Sequence, residues 1–167
     1  MKPTLLLIAL LSMVASLPVH AHGEKKHAPA EEAIAEQTAW GIAGKSAQVT
    51  RTVTIDMTDA MRFTPDALTV QEGETVRFIV RNRGRMLHEM VIGTQDELAK
   101  HAAMMAKFPN MEHDAPYMVH VDPGKTGEIV WNFNRAGRFE FACLIAGHYE
   151  AGMRGTLTVT PKQGAAQ

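Results

Sequence analysis

The sequence predicts an all-β fold, an antiparallel β-sandwich carrying one short helical insert, and three observations predict it. Short segments alternate apolar and polar residues with a period of two. Gly and Pro punctuate them at close intervals, as in sandwiches built from short strands. One stretch, opening at Thr94, carries a helix-start signature instead.

The chain of 167 residues begins with a positive Met1-Lys2 and an apolar, Leu-rich run from Thr4 to Leu17. Val19-His20-Ala21 then has the small-x-small pattern of a signal-peptidase site. Residues 1–21 are therefore expected to be a signal peptide, leaving about 146 residues from His22, one domain's worth. The apolar run is short for a bilayer and is broken by Pro18, which argues against a retained anchor, and no second run of spanning length follows. From His22 to Gln48 the composition is Ala, Glu, Lys, His and Pro with little periodicity, so 22–48 reads as a flexible arm. Within it Ala33 to Trp40 reads as a short helix, ended by Gly41 and Gly44.

The sandwich domain is expected over 49–161, with 162–167 as a tail. Thr50 to Asp56 alternates as a half-buried strand. Phe63-Thr-Pro-Asp reads as a turn and Ala67 to Val70 as a second strand. Val76, Phe78 and Val80 share one face of Thr75 to Arg81, and Met86 to Ile92 is a further strand. Thr94-Gln-Asp-Glu97 is a capping box whose hydroxyl and carboxylate satisfy free N–H groups. Asp96 and Glu97 suit the positive end of the helix dipole. That helix should run through Lys107 and stop before Pro109. Strands resume at Gly127 to Phe133, Gly137 to Cys143 and Gly155 to Thr160, in an arrangement read as antiparallel.

A net charge of −1 argues against nucleic acid or an anionic membrane as partner. Arg81, Arg83 and Arg85 read as a solvated turn. Cys143 is the only cysteine. An exported protein with one cysteine has no internal disulfide to offer it, so it must be buried, reactive or liganded.

Cys143, His148 and Met153 fall at five-residue steps in Cys-Leu-Ile-Ala-Gly-His-Tyr-Glu-Ala-Gly-Met. A thiolate, an imidazole and a thioether on one loop fit a mononuclear electron-transfer copper site, which needs a second histidine. His88, in Arg-Met-Leu-His-Glu-Met-Val-Ile, is the candidate. If Phe139 and Phe141 face the interior, Cys143 shares their face. Taken singly, a buried thiol, a surface histidine and a core methionine are the simpler readings; together they favour copper. Zinc is the rival metal, although its structural sites use more Cys or His and no Met.

The region from Val49 to Pro161 resembles the cupredoxins, which implies a cupredoxin-like Greek-key β-sandwich, and the Cys-x4-His-x4-Met spacing is similar to the rusticyanin-type ligand loop. Trp40-Gly-Ile-Ala-Gly, Met61-Arg-Phe-Thr-Pro, His88-Glu-Met-Val-Ile-Gly and a long His/Met insert resemble the periplasmic copper-tolerance cupredoxins of the CopI type. That resemblance implies His88, Cys143 and His148 as equatorial ligands and Met153 as the axial one. One departure stands out. Many electron-transfer cupredoxins carry Asn after the first histidine, tying the two ligand loops together, and here Glu89 occupies that place.

The insert holds His101, Met104, Met105, Met111, His113, Met118 and His120. Thioethers prefer Cu(I), which suggests a second, softer copper site; the plainer reading makes Met105 and Leu98 the helix's core face. A free amine at His22, with His27 nearby, is a further candidate for Cu(II). Copper tolerance is the function expected first, with soluble electron transfer between redox partners as the alternative. A copper oxidase needs paired His-x-His motifs, and the one pair, His20-Ala-His22, straddles the expected cleavage point, so the chain is not expected to be an enzyme by itself.

Overall fold

The computed structural model describes residues 35–109, 111, 113–162 and 164. The expected signal peptide, His22 and His27 lie outside the described residues, as does most of the C-terminal tail. The described chain forms β1 (Ile42–Ala43), β2 (Arg51–Thr58), β3 (Arg62–Thr64), β4 (Ala67–Gln71), β5 (Thr75–Asn82), β6 (His88–Gly93), α1 (Gln95–Lys107), β7 (Met118–Val121), β8 (Thr126–Asn132), β9 (Gly137–Ala142) and β10 (Arg154–Thr160).

These strands make two five-stranded sheets, ordered β1-β8-β5-β2-β3 and β4-β10-β9-β6-β7. Alternation builds the layer between them. Val53, Ile55 and Met57 of β2 and Val76, Phe78 and Val80 of β5 face Phe139, Phe141, Leu157 and Val159 of the other sheet in one buried cluster. The sandwich is not purely antiparallel as expected: β2 pairs with β5, and β4 with β10, in parallel. The chain crosses to the other sheet between the members of each pair, and a crossover, unlike a hairpin, permits parallel neighbours.

The helix forms where the capping box places it. Thr94 accepts from the Glu97 N–H at 3.3 Å, and its hydroxyl donates to the Glu97 carboxylate at 2.7 Å. Leu98, Ala102 and Met105 pack with Val91, Met118, Ala142 and Leu144 in a second cluster on the outer face of the second sheet. Strand β6 is consequently buried along its whole length. Met90 and Ile92 point into the sandwich while Val91 meets the helix.

Three elements differ from the sequence reading. The described part of the expected arm contains no α-helix over 35–40, and Trp40 is buried. The Trp131 indole N–H donates to the Trp40 carbonyl at 3.0 Å, and β1 pairs with β8. An aromatic side chain with a core site to fill overrides a weak local helix preference. Phe63 and Thr64, read as the start of a turn, belong to β3, which pairs with β2. Met118 to Val121, read as insert, is β7, paired with β6. Arg81 and Arg83 are not merely solvated, since both reach Asp56, at 2.7 and 3.4 Å.

Candidate metal centre

Neighbouring strands place the first two donors at one end of the second sheet. His88 opens β6 and Cys143 directly follows β9, and these strands pair through Val91 and Ala142. Phe139, Phe141 and Cys143 are all buried in the inter-sheet cluster, as the alternation requires. The loop to β10 then bonds back on itself. Cys143 N–H donates to the Met153 carbonyl and Met153 N–H to the His148 carbonyl, both at 3.0 Å. Gly147 and Gly152 take φ of 87° and 88°, left-handed values that Gly adopts without steric cost and that tighten the loop around His148.

The ligating atoms of His88, Cys143 and His148 all lie within 4.8 Å of one another, and all three residues are buried. The Cys143 Sγ is 3.3 Å from His148 Nδ1 and 4.0 Å from His88 Nδ1. Burial pushes the Cys143 thiol up to about 12, against the pull of the Glu89 and Ile145 N–H groups. Burial, then the nearby His88, holds His148 below the usual histidine range. By itself the protein therefore keeps a neutral thiol beside a histidine biased toward its neutral form, and an ion that displaces the thiol proton gains a thiolate.

The surroundings orient these donors. His88 Nε2 lies 3.1 Å from Asp59 Oδ1, which turns Nδ1 toward Cys143. Asp59 also accepts from the Arg85 and Met86 N–H groups at 2.8 and 3.2 Å, and these bonds, Arg85 foremost, keep it below the usual carboxylate range. Buried Asn82 donates to the Met86 and Val121 carbonyls at 2.7 and 2.8 Å and accepts from Gly84 N–H, holding the segment that leads into His88. Sequence reasoning missed Asp59 and Asn82, because nothing in local spacing links a turn at 59 to a histidine at 88. Glu89 does the work expected of asparagine. Its N–H donates to Cys143 Sγ at 3.4 Å, and its Oε1 accepts from Leu144 N–H at 2.8 Å.

Met153 is fully buried in the same cluster as Cys143. His148 is the least buried of the three converging residues, at 5% exposure. Leu144, next to Cys143, is buried under α1, while Leu87 and Ile145 line one cleft together with His113 and His120. The insert divides. Met105 and Met118 are core residues, whereas Met104 is 43% exposed. His101, His113 and His120 come into ring contact.

A sandwich that gathers one cysteine and two histidines at the end of a sheet defines a mononuclear type 1 copper protein. The chain belongs to the copper binding proteins of the plastocyanin/azurin family, which match over residues 49–160. A copper-resistant cuproprotein, CopI, from Rubrivivax gelatinosus is 47% identical over 161 residues, covering 95% of this chain and 96% of its own. The protein of the same name from Pseudomonas aeruginosa is 36% identical, covering 80% of this chain and 90% of its own. Among solved structures, dithionite-reduced auracyanin from Roseiflexus castenholzii shares the fold, with a TM-score of 0.59 at 21% identity over 68% of this chain and 99% of its own.

Proposed function

We propose that the protein is a periplasmic copper-tolerance cupredoxin in which His88, Cys143, His148 and the thioether of Met153 would hold one copper ion. One observation carries the reading: a thiol and two imidazoles, His88 from β6 and Cys143 and His148 from the loop after β9, have their ligating atoms within 4.8 Å of one another, all three residues buried. A structural zinc site would call for four Cys or His donors, and here the further residue at the loop's end is a thioether. Bound copper supplies a one-electron couple between Cu(II) and Cu(I). The residues do the rest: Cys143 gives up its proton, Asp59 fixes the His88 ring, and the Glu89 N–H disperses charge on Sγ. Similarity to copper-resistant relatives along nearly the whole chain supports tolerance, and the signal-peptide pattern expected over 1–21 is in keeping with export. The role proposed is binding and redox handling; a copper oxidase would need paired His-x-His motifs, and the one such pair in the sequence, His20-Ala-His22, straddles the expected cleavage point.

A soluble electron carrier is the second reading, favoured by His148 as the least buried of the proposed donors, with exposed Leu87 beside His88 in the chain and partly buried Ile145 accepting from the His148 N–H. A strain lacking the gene decides between them. Copper sensitivity without a respiratory defect supports tolerance, and the reverse supports electron carriage. For the site, Cys143→Ala should abolish the intense visible charge-transfer band of the copper form. Met153→Leu should keep the band and raise the potential. A band surviving in Cys143→Ala overturns the ligand assignment.

A further inference from the structure

Outside this centre, three histidines from three segments meet on the outer side of the second sheet: His101 on α1, His120 on β7, and His113 between them. The His101 and His113 ring centroids are 4.4 Å apart, and those of His113 and His120 5.9 Å. Glu89, fully buried on β6, stands directly across from His120 in the β6–β7 register. Its Oε2 is 2.7 Å from His120 Nε2, yet makes no aligned hydrogen bond. His101 Nε2 and His113 Nε2 are likewise buried without a hydrogen-bond partner among the described residues.

Buried polar atoms left unsatisfied are costly, and two bare imidazole nitrogens beside a buried carboxylate call for a reason. An ion pair between His120 and Glu89 accounts for those two side chains only. It leaves two imidazoles in contact, each with a buried bare nitrogen, where apolar side chains would pack at lower cost. A metal ion satisfies all of them. His113 is already arranged as a ligating histidine, with Nδ1 3.3 Å from the Met111 carbonyl and Nε2 left over. His113 and His120 also line an open cleft with Asp114 and Asp122, which gives a cation a route in.

The donor set decides which ion. Met105 and Met118 are committed to the core and Met104 is exposed, so the soft thioether site suggested by the sequence is replaced by imidazole nitrogens and a carboxylate. That set suits a divalent ion, and Cu(II) outbinds Zn(II) at a given nitrogen–oxygen site. We propose that His101, His113, His120 and Glu89 form a second copper site that takes Cu(II). Among the described residues only His88, Cys143 and His148 have their donors within 4.8 Å throughout, so binding here draws the His101 and His113 rings inward by side-chain rotation. The site does not depend on the type 1 reading, although Glu89 touches both.

The test is a Cu(II) titration of the mature chain followed by visible absorption and EPR, comparing wild type with His113→Gln and with the double variant His101→Ala/His113→Ala. The band saturates with the first equivalent in every form. Wild type then takes up a further equivalent with the wide copper hyperfine splitting of tetragonal nitrogen–oxygen ligation. His113→Gln weakens that equivalent at least ten-fold, and the double variant loses it. Copper held at His22 is common to all forms and cancels in the difference. Equal stoichiometry in wild type and variants overturns the proposal. So does bound Zn(II) that excess Cu(II) fails to displace, which makes this a zinc site. Should the double variant lose its band through misfolding, His113→Gln alone carries the comparison. A band absent from wild type would count against the type 1 centre and leave this comparison standing.

Discussion

Asp59 touches no thiol and carries no metal-site signature, yet it sets the direction in which His88 faces. Its Oδ1 sits 3.1 Å from the His88 Nε2, while the Arg85 and Met86 N–H groups hold the carboxylate in place. Removing such a partner from a ligating histidine costs about 10- to 100-fold in metal affinity. Asp59→Ala should weaken copper by that factor in a chelator competition, with Asp59→Asn recovering part of the loss. Unchanged affinity in Asp59→Ala would show that His88 is held by packing alone. The contrast with Cys143, His148 and Met153 marks what a sequence makes legible at this scale. Those three share one loop, so their spacing is written in consecutive residues. Asp59 and Asn82 reach the site through the sheet, and Glu89 was visible as a departure whose two hydrogen bonds only the fold supplies.

Among the elements, strands with full alternation over five or more residues were readable, as β2, β4, β5, β8, β9 and β10 demonstrate. Those that failed were short or masked by composition: β1 has two residues, and β7 lies within a His/Met-rich stretch whose chemistry distracts from its Met-Val-His-Val alternation. Arginine placement failed for a related reason, because Arg81 and Arg83 meet Asp56 only once β5 lies alongside β2 in parallel. The Arg81 hydrogen bond, ahead of the other influences, lowers the Asp56 carboxyl from its usual 3.8. A depressed native value means the pairing stabilises above the unfolded value and is lost as pH falls through the native one. With both partners partly exposed, the contribution is about 0–1 kcal/mol. Asp56→Asn should cost that much at pH 7 in denaturant unfolding. The gap from wild type should close below about pH 4, where the unfolded carboxylate also protonates. A gap that persists at pH 2 would assign the loss to packing rather than charge.

For the molecule as a whole, the site is the end of a frame whose two sheets and outer helix are fixed by buried side chains before any ion arrives. Cys143 and Met153 both belong to the main core, so these two proposed donors are held by the same contacts that hold the sandwich. Copper held by the proposed donors would bind the native state far better than the unfolded chain, where those residues are spread from 88 to 153 in sequence. Binding of that kind adds stability by mass action, about 2.7 kcal/mol at a free concentration one hundred times the dissociation constant. For a chain of this size each kcal/mol raises the melting temperature by roughly 2–4 °C. Copper at that ratio should therefore raise it by roughly 5–10 °C in a thermal scan. Cys143→Ser should lose most of the gain while keeping a cooperative transition in the metal-free protein, because the serine hydroxyl fits the thiol's place in the frame. A metal-free Cys143→Ser protein without cooperative melting would mean that the thiol is needed to build the sandwich, and that frame and site are not separable in the way the buried core implies.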